Sequence, residues 1–398
     1  MAPPIPIDSA RRQVLDSVVA LPTVTVGLSE ALGRVLARPV VSSTAVPPFP
    51  SSAMDGYAVS EGAHGRLTVV GESRAGHPYQ PAIEAGTAIA ISTGAVVPEG
   101  TGAVVPIEEV EEEPGFVTVP AAGGGAHVRA AGEDVQAGDS VMPSGAVVGP
   151  AALGVLASIG LVEVGVAAAP RVALLSTGDE LTAPGTPLPP GGIYSSNGPV
   201  LAAMAGAAGA AVQLAEDVPD TATGTRDAIE RSLEHADVVC VSGGVSVGPH
   251  DHVKSAFAKL GAREVFWRVA LRPGKPVWFG VAETSERRVL CFGLPGNPVS
   301  CMVCFQLFVR PALRALQGAD PATSRVPVEL TAAVQCMPGR THAVRCRLEA
   351  GAEGWRAAPT GPQGSHQLTS MLEARALALV PPGDGELAPG NVVEAELL

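Results

Sequence analysis

Apolar residues fall at helical spacings in the opening segment of the chain, residues 7–36. Asp8 or Ser9 could cap a first helix, and Pro22 would end it. The spacing is helical again from Pro150 to Ile159. We therefore interpret residues 1–52 and 137–169 as the two flanks of one discontinuous helical or mixed N-terminal domain, with an insertion between them.

The segment between these flanks, residues 53–136, consists of short β-type runs separated by glycines and prolines, which predicts a small β-rich inserted domain. The runs are Leu67 to Val70, Ala88 to Ile91, Ala103 to Ile107 and Phe116 to Val119. After Pro321 the apolar runs are short again. Residues 319–398 are therefore interpreted as a second small domain, resembling a β-barrel.

Residues 170–318 repeat a different unit, in which an apolar β run is followed by a turn and a helix. This order is typical of a doubly wound α/β domain. The strands are expected near 172–175, 212–215, 238–241, 264–269, 277–279 and 289–292, and the helices near 200–209, 226–235 and 251–260. The fold class is therefore multidomain α/β plus β.

The composition fits this fold class and restricts the type of ligand. Hydrophobic residues make up 46% of the chain and aromatic residues only 4%, so the core consists of Ala, Val, Leu and Ile, as in parallel sheets covered by helices. The net charge of −13 argues against nucleic-acid binding, because duplex phosphates would be repelled. An anionic substrate therefore requires a local cationic pocket.

The sequence favours a cytoplasmic location. The amino terminus has no apolar signal-peptide core, and the most apolar run, Pro150 to Pro170, is interrupted by glycines and Glu163, so neither export nor membrane spanning is expected. Six cysteines are too few for a disulfide framework. Cys301 and Cys304 form a C-x-x-C in an apolar helical segment and are interpreted as structural thiols.

The strongest local motif is a glycine-rich loop that follows the expected strand 238–241. It contains Ser242, Gly243, Gly244, Ser246 and Gly248. Ligands bind at the carboxyl ends of the strands in open α/β sheets. Glycines let backbone N–H groups approach an oxyanion, serine hydroxyls add donors, and the start of the next helix adds a favourable dipole. The loop is therefore predicted to bind phosphate.

Two other motifs share these letters. A Walker loop would require Lys and Ser or Thr after Gly248, where this chain has Pro and His, and we exclude it. The string G-x-S-x-G around Ser246 formally matches the nucleophile elbow of a serine hydrolase. Pro249 opposes the immediate helix that an elbow requires, and His342 and His366 lie in the separate C-terminal β domain. The hydrolase therefore ranks below phosphate binding.

Two further polar strings are expected at the same edge of the sheet, one around Glu180 and one from Arg272 to Lys275. Glu180 and Asp251 are hard oxygen ligands that suit Mg²⁺ bridging substrate phosphates, while Arg272 and Lys275 could neutralise a phosphate or an incoming oxyanion. Histidines flank Asp251, but no third nitrogen or sulfur ligand appears at a recognisable spacing. Turn and helix roles are therefore favoured over zinc binding.

Seven strings, in order along nearly the whole chain, resemble the molybdopterin molybdenumtransferase family, the MoeA-type proteins of bacteria that are related to the E domain of gephyrin. One such string would be weak, but seven in family order are specific. They are Ser52 to Ala58, Thr93 to Ala95 with Pro98 to Gly100, Arg129 with Gly132 to Val135, Ser176 to Leu181, Ser242 to Gly248 with Asp251, Pro273 to Pro276, and Gly293 to Ser300.

The resemblance implies an elongated homodimer of four domains that inserts molybdate into adenylylated molybdopterin, releasing AMP with the help of Mg²⁺. It implies a shared site between the α/β domain of one subunit and the β insertion of the other, and a molybdopterin adenylyltransferase as a further partner. The implied catalytic residues are Asp55, Asp134, Glu180, Asp251 and Lys275, with Glu180 and Asp251 as metal ligands. The implied binding residues are Thr93, Thr177, Gly178, Ser242, Gly243, Gly244, Ser246, Gly248, Arg272, Pro295, Asn297 and Pro298.

This chain departs from the usual family pattern at four places. Ala90 replaces an arginine, Ser195 replaces an aspartate, Arg272 replaces a lysine, and Pro249-His250 replaces an acidic and a small residue. Ala90 and Ser195 thus remove one positive and one negative group. A non-catalytic paralogue that binds molybdopterin as a scaffold, or one that prefers tungstate, remains the alternative to the transferase.

Overall fold

The computed structural model describes residues 3–245, 252–322, 325–351 and 354–398. The chain forms two compact units. The large unit comprises Met1–Val24, Gly33–Ala37 and Gly165–Leu398, and the small unit comprises Thr25–Leu32 and Arg38–Val164. The strands Thr23–Gly27 and Glu163–Ala167 lie where the chain passes from one unit to the other.

The small unit contains a six-stranded sheet, as predicted for a β-rich insertion. Its strands, in spatial order, are Thr101–Pro106, Gly56–Ser60, Thr87–Ile91, Gly65–Ser73, Phe116–Val119 and Glu111–Glu113. Tyr57 and Val59 pack in one apolar cluster and Ala58 in another, because successive side chains of a strand point to opposite faces. The remaining elements of the unit are Leu28–Ala31, Val40–Val41, Ser51–Ser52, Ile107–Glu109, Val128–Arg129, Ser140–Met142 and Pro150–Ser158.

The opening segment is less helical than its spacing predicted. A helix covers Ile7–Leu15, but Thr23–Gly27 is a strand. The prediction of a helical pattern through residue 36 is wrong for this strand, because four consecutive β-branched residues, two Thr and two Val, restrict χ1 and favour extended backbone. The predicted helix that begins at Pro150 is confirmed and ends at Ser158.

The α/β domain of the large unit is built on a six-stranded sheet whose strands we label in chain order. They are β1 (Arg171–Thr177), β2 (Ala211–Val218), β3 (Val238–Ser242), β4 (Arg263–Trp267), β5 (Trp278–Glu283) and β6 (Arg288–Leu294). Their spatial order is β2-β1-β3-β6-β5-β4. The first four strands are parallel, β5 is antiparallel to β6, and β4 is antiparallel to β5 and so runs in the direction of the first four. Two-residue strands Leu181–Thr182 and Ile193–Tyr194 pair beside this sheet.

Helices cover both faces of this sheet, as a doubly wound domain requires. The helices are α1 (Asn197–Ala207), α2 (Ala222–His235), α3 (Val253–Lys259) and α4 (Pro298–Cys304). Leu174 of β1 packs in the cluster that contains α1 and α4, whereas Leu175 packs in the cluster that contains α2 and α3. Strands buried on both sides read as continuous apolar runs, which explains why the sequence pattern located them.

Helix α4 continues through the π-helical turn Phe305–Val309 into the helix Arg310–Leu316. By length and apolar composition the stretch Pro298–Leu316 could cross a membrane, but 78% of its most apolar window is buried within the structure, as in the core helix of a globular protein. Cys301 and Cys304 lie in this core. Burial raises the pKa of the Cys301 thiol to about 12, which agrees with a structural thiol.

The C-terminal residues of the large unit form a closed five-stranded barrel, which confirms the predicted barrel-like domain. Its strands close in the order Arg325–Leu330, Gly354–Pro359, Thr341–Gly351, Ala376–Val380, Val392–Leu397 and back to the first. The short strand Leu271–Arg272, from the α/β domain, pairs with Thr341–Gly351. The other elements here are Val334–Gln335, Leu368–Met371 and Glu386–Leu387.

Candidate functional site

The carboxyl ends of β1 and β3 form the centre of the candidate site. Gly243 and Gly244 have positive φ angles of 92° and 62°. A Cβ atom at Gly243 would lie 2.6 Å from the Thr177 carbonyl oxygen, so only glycine allows these strand ends to approach so closely. Thr177 Oγ1 faces the Asp220 carboxyl group but is buried without a hydrogen bond of good geometry among the described residues.

The main cavity opens from these strand ends and has a volume of about 600 Å³. Ser242 Oγ donates to Ser176 Oγ over 3.2 Å beneath it. Asn197, at the start of α1, donates from Nδ2 to the Gly296 carbonyl oxygen over 2.8 Å. This hydrogen bond connects α1 to the loop after β6, and both residues line the cavity. The predicted binding residues that line the cavity are Thr177, Ser242, Pro295, Asn297 and Pro298, together with the predicted catalytic residue Glu180.

Glu180, which lines this cavity, lies close to the carboxyl group of Asp220. The pKa of Asp220 is raised, chiefly because the carboxyl group is partly buried and then because the charge of Glu180 lies close to it. The Asp220 amide donates to Asp179 Oδ1 over 3.0 Å, which holds the loop after β2 against the loop after β1. Asp220 was not among the residues predicted from the sequence, although its position just beyond a strand of the parallel sheet could have indicated it.

A second cavity of about 440 Å³ carries the cationic side chains. Arg272 and Lys275 line it from the loop between β4 and β5, both with exposed side chains. That loop lies at the same sheet edge as Thr177, because Trp278 at the start of β5 pairs with Gly293 near the end of the antiparallel β6. Arg340 adds a third cationic side chain from the C-terminal barrel.

The segment 360–367 of the barrel domain connects the two cavities. His366 lines both of them, and Ser365 lines the cationic cavity. Asn297 Nδ2 donates to Ser365 Oγ over 3.1 Å, and the Val299 amide donates to the Ser365 carbonyl oxygen. His366 belongs to the C-terminal domain, as the sequence indicated, but it was not predicted as a site residue. It reaches the cavities because the C-terminal barrel packs against the start of α4.

In the small unit, the structure brings together two of the predicted residues. The Thr93 backbone N–H donates to Asp55 Oδ1 over 2.7 Å. Asp134 lies in another loop, where its amide donates to the Val46 carbonyl oxygen, and its side chain is exposed. Ala90, the position of the missing arginine, pairs with Tyr57 across the sheet.

Three predicted site residues, Ser246, Gly248 and Asp251, lie outside the described residues. Gly178 adjoins Glu180, since a Cβ atom there would lie 2.6 Å from its Oε2 atom. Within the described ranges, no group of three or more His, Cys, Asp and Glu side chains is arranged to hold a metal ion. The carboxylates of Glu180 and, more weakly, Asp179 act on Asp220 at this edge.

Comparison with known proteins gives matches along the chain. Residues 5–160 match the model of the MoeA N-terminal region (domain I and II), residues 173–315 a model described as "Probable molybdopterin binding domain", and residues 327–398 the MoeA C-terminal region (domain IV). Molybdopterin molybdenumtransferase 2 of Mycobacterium tuberculosis is 37% identical over 403 residues, which cover 98% of each chain. This chain belongs to the molybdopterin molybdenumtransferase family. The Haemophilus influenzae member is 35% identical, again over 98% of each chain.

Solved structures of the family share the fold. A MoeA protein of molybdopterin biosynthesis from Pyrococcus horikoshii OT3 superposes with a TM-score of 0.85 at 27% identity, covering 100% of both chains. A second structure of such a protein from Pyrococcus horikoshii gives 0.82 at 30% identity over 99% of both chains. The family recognised from seven sequence strings is therefore confirmed, and with it the class of transferases.

Proposed function

We propose that this protein is a molybdopterin molybdenumtransferase that inserts molybdate into adenylylated molybdopterin and releases AMP. One observation carries the proposal beyond family membership: two cavities meet at His366, one lined by the phosphate-loop strand ends and Glu180, the other by Arg272, Lys275 and Arg340. A nucleotide-linked substrate and an oxyanion can thus be held next to each other, as the reaction requires.

The main cavity suits the phosphate groups of the adenylylated substrate. Thr177 Oγ1 is a buried hydroxyl that lacks a good hydrogen-bond partner among the described residues, so a ligand oxygen there would satisfy it. Gly243 and Gly244 let the end of β3 pass against Thr177 and Val253, where a Cβ atom would collide, and so keep Thr177 next to this loop. The Gly243 N–H already donates to the Leu294 carbonyl oxygen. Ser246 and Gly248 extend this proposed loop on the basis of the sequence.

The cationic cavity suits molybdate, a small dianion. Arg272, Lys275 and Arg340 supply positive charge, and Ser300 and Ser365 supply hydroxyl donors at its wall. In a chain of net charge −13 such a local concentration of cations is what an anionic substrate needs. The dithiolene sulfurs of the substrate, and no protein thiol, would bind the molybdenum.

The carboxyl groups of Glu180 and Asp220 fit Mg²⁺. Burial, and then the nearby charge of Glu180, raise the pKa of Asp220, and a divalent cation held by both carboxyl groups would stabilise their charged forms. Glu180 and Asp220, with Asp251 as the third proposed ligand, would hold the ion, which offsets negative charge on the phosphoanhydride. Lys275 would stabilise the charge that develops on the phosphate as the bond to AMP breaks, and the glycine loop would fix its position.

The remaining functional assignments rest on the resemblance. We propose a cytoplasmic homodimer that receives its substrate from a molybdopterin adenylyltransferase. Asp55 and Asp134 are proposed catalytic residues and Thr93 a proposed binding residue of the small unit. The division into residues 1–52 with 137–169, 53–136, 170–318 and 319–398 is proposed for the four domains.

The test is to mix the purified full-length protein with adenylylated molybdopterin, molybdate and Mg²⁺, and to measure AMP and active cofactor together. Lys275→Met should lower the rate of AMP release about 100-fold, because a cation facing the developing charge is lost. Lys259→Met is the matched control, since Lys259 is exposed on α3 away from both cavities.

Tight substrate binding by the wild-type protein without AMP release would refute the transferase and favour the scaffold, which the missing arginine at Ala90 would then explain. Replacing molybdate with tungstate in the same assay measures the oxyanion preference. Equal rates of AMP release in the Lys275→Met and Lys259→Met variants would remove Lys275 from the proposed mechanism.

A further inference from the structure

A third cavity, which we call the side cavity, adjoins the main one and has a volume of about 280 Å³. Ser195 lines both cavities and forms the wall between them. Most of the other walls are small and apolar, with Ala183 from the loop after β1, Pro199 and Ala202 from α1, and Ala215 from β2. Glu216 and Asp217 of β2 also line the cavity, and Glu216 is paired with Arg231 over 2.7 Å. None of the predicted binding or catalytic residues lines this space.

The side cavity contains a hydrogen-bonded hydroxyl and carboxylate, from Ser195 and Asp217. Ser195 Oγ donates its proton to Asp217 Oδ1 over 2.7 Å. Ser195 is 4% exposed, and its amide donates to the Thr182 carbonyl oxygen, so the side chain is fixed. With its proton held by Asp217, Ser195 offers only acceptor lone pairs to a ligand. Asp217 is exposed and makes no ion pair with the described residues.

The register of the sheet places this pair level with the phosphate loop. Asp217 of β2 pairs with Ser176 of β1, and Ser176 pairs with Ser242 of β3. Neighbouring residues in register share a face of the sheet. A row of polar side chains therefore leads from the glycine-rich loop to the side cavity, across strands that are otherwise apolar.

The chemistry of this row restricts what the side cavity can bind. Asp217 and Ser195 present acceptors without a donor, so a phosphate or molybdate group would be repelled. A flat ring with adjacent N–H groups would suit the small apolar walls and could donate two parallel hydrogen bonds to a carboxylate. The amino-pyrimidinone edge of a pterin has this pattern, because its 2-amino group and N3–H lie side by side.

We propose that the side cavity binds the amino-pyrimidinone edge of the pterin, with Asp217 as the acceptor that selects it and Ser195 as the positioning residue. This assignment rests on the proposed function, in which a pterin is the substrate. The pterin ring would then lie beside α1, with its phosphate-bearing side chain directed along the polar row to Thr177 and Ser242.

The test compares two stable probes by fluorescence quenching with the full-length protein. The probes are 6-hydroxymethylpterin and 6-hydroxymethyllumazine, which carries an oxygen in place of the 2-amino group. The variant is Asp217→Asn. The matched control is Asp227→Asn on α2, a carboxylate that pairs with Arg226 over 2.6 Å and lines none of the three cavities.

We expect the wild-type protein and Asp227→Asn to bind the pterin about tenfold more tightly than the lumazine, and Asp217→Asn to lose this preference through weaker pterin binding alone. Lumazine affinity reports that the cavity is intact. No preference in the wild-type protein, or an equal loss of both probes in Asp217→Asn, would overturn the proposal, since Asp217 would then be only structural.

The AMP-release assay separates this proposal from the proposed function. A wild-type protein that prefers pterin but releases no AMP would refute the transferase and retain the side cavity. A protein that releases AMP but does not distinguish the two probes would retain the transferase and refute the side cavity.

Discussion

Replacing Arg345 tests whether a buried cation shapes the wall between the two main cavities. The Arg345 side chain is completely buried, and burial lowers its pKa to about 10, so it remains charged at neutral pH. It donates to the carbonyl oxygens of Pro362, Gln363 and Gly364 over 3.2–3.3 Å, and from Nε to Ser370 Oγ over 3.0 Å. The segment it holds carries Ser365 and His366.

Arg345→Met removes every one of these donors while keeping an apolar stem of similar length. A buried acceptor that loses its partner costs about 1–3 kcal/mol. Pro362 is exposed and the neighbouring loop residues are half-buried, so water can replace part of the loss. We therefore expect the segment 360–370 to lose about 3 kcal/mol of local stability, which is roughly a 100-fold decrease in amide protection.

Hydrogen exchange of the amides of Gly364, Gln367 and Ser370 measures this loss, because all three are hydrogen-bonded within the segment. Arg345→Lys should give an intermediate value, since a lysine retains the charge but not the planar array of five donors. Unchanged exchange in Arg345→Met would show that the segment holds its shape without the guanidinium, and the reasoning would be wrong.

Three further predictions follow from other buried groups. Gly243→Ala should cost about 2–3 kcal/mol, because it combines a positive φ with a collision against Thr177; an unchanged thermal midpoint would contradict this. Glu396→Gln should lower the free energy of urea unfolding by about 3 kcal/mol, since Arg11, 2.6 Å away, would lose its buried carboxylate. Adding Arg11→Met to this variant should lower the free energy of unfolding further by less than about 3 kcal/mol. Burial holds the pKa of His342 below its ordinary 6.5. Its neutral form therefore stabilises the fold fully above that pH, and this stability is lost as the pH falls through the lower folded-state pKa; His342→Gln should flatten urea stability between about pH 7 and 5, and equal slopes would refute it.

The elements of the α/β domain were predictable from their burial. Strands that are buried on both faces appear in the sequence as continuous apolar runs, and helices that are buried on one face show apolar residues at helical spacing. The expected run 238–241 became Val238–Ser242, and 226–235 became Ala222–His235. The strand Thr23–Gly27 was not predictable by spacing, because five residues contain too few turns to separate a helix from a strand. Its β-branched composition was the better guide.

The candidate site was only half predictable, for a similar physical reason. Thr177, Glu180 and Ser242 follow strands of one parallel sheet, and parallel strands bring their carboxyl ends together regardless of distance along the chain. Arg340 and His366 come from the C-terminal barrel, whose docking onto the start of α4 depends on tertiary packing. Hydrogen bonds such as that from Asn297 to Ser365 have no counterpart in the periodicity of the sequence.

The distribution of charge explains how an acidic protein can bind anions at this edge. The net charge of −13 is spread over the whole chain, and salt screens its field over a Debye length of about 8–10 Å. Within the cationic cavity, Arg272, Lys275 and Arg340 act at contact distances. Arg345 lies beneath the same loop, bonded to carbonyl and hydroxyl groups with no carboxylate among its hydrogen-bond partners. The local field is therefore positive where molybdate would bind, and the carboxylates Glu180, Asp217 and Asp220 lie at the other cavities, where a metal ion or N–H donors would meet them.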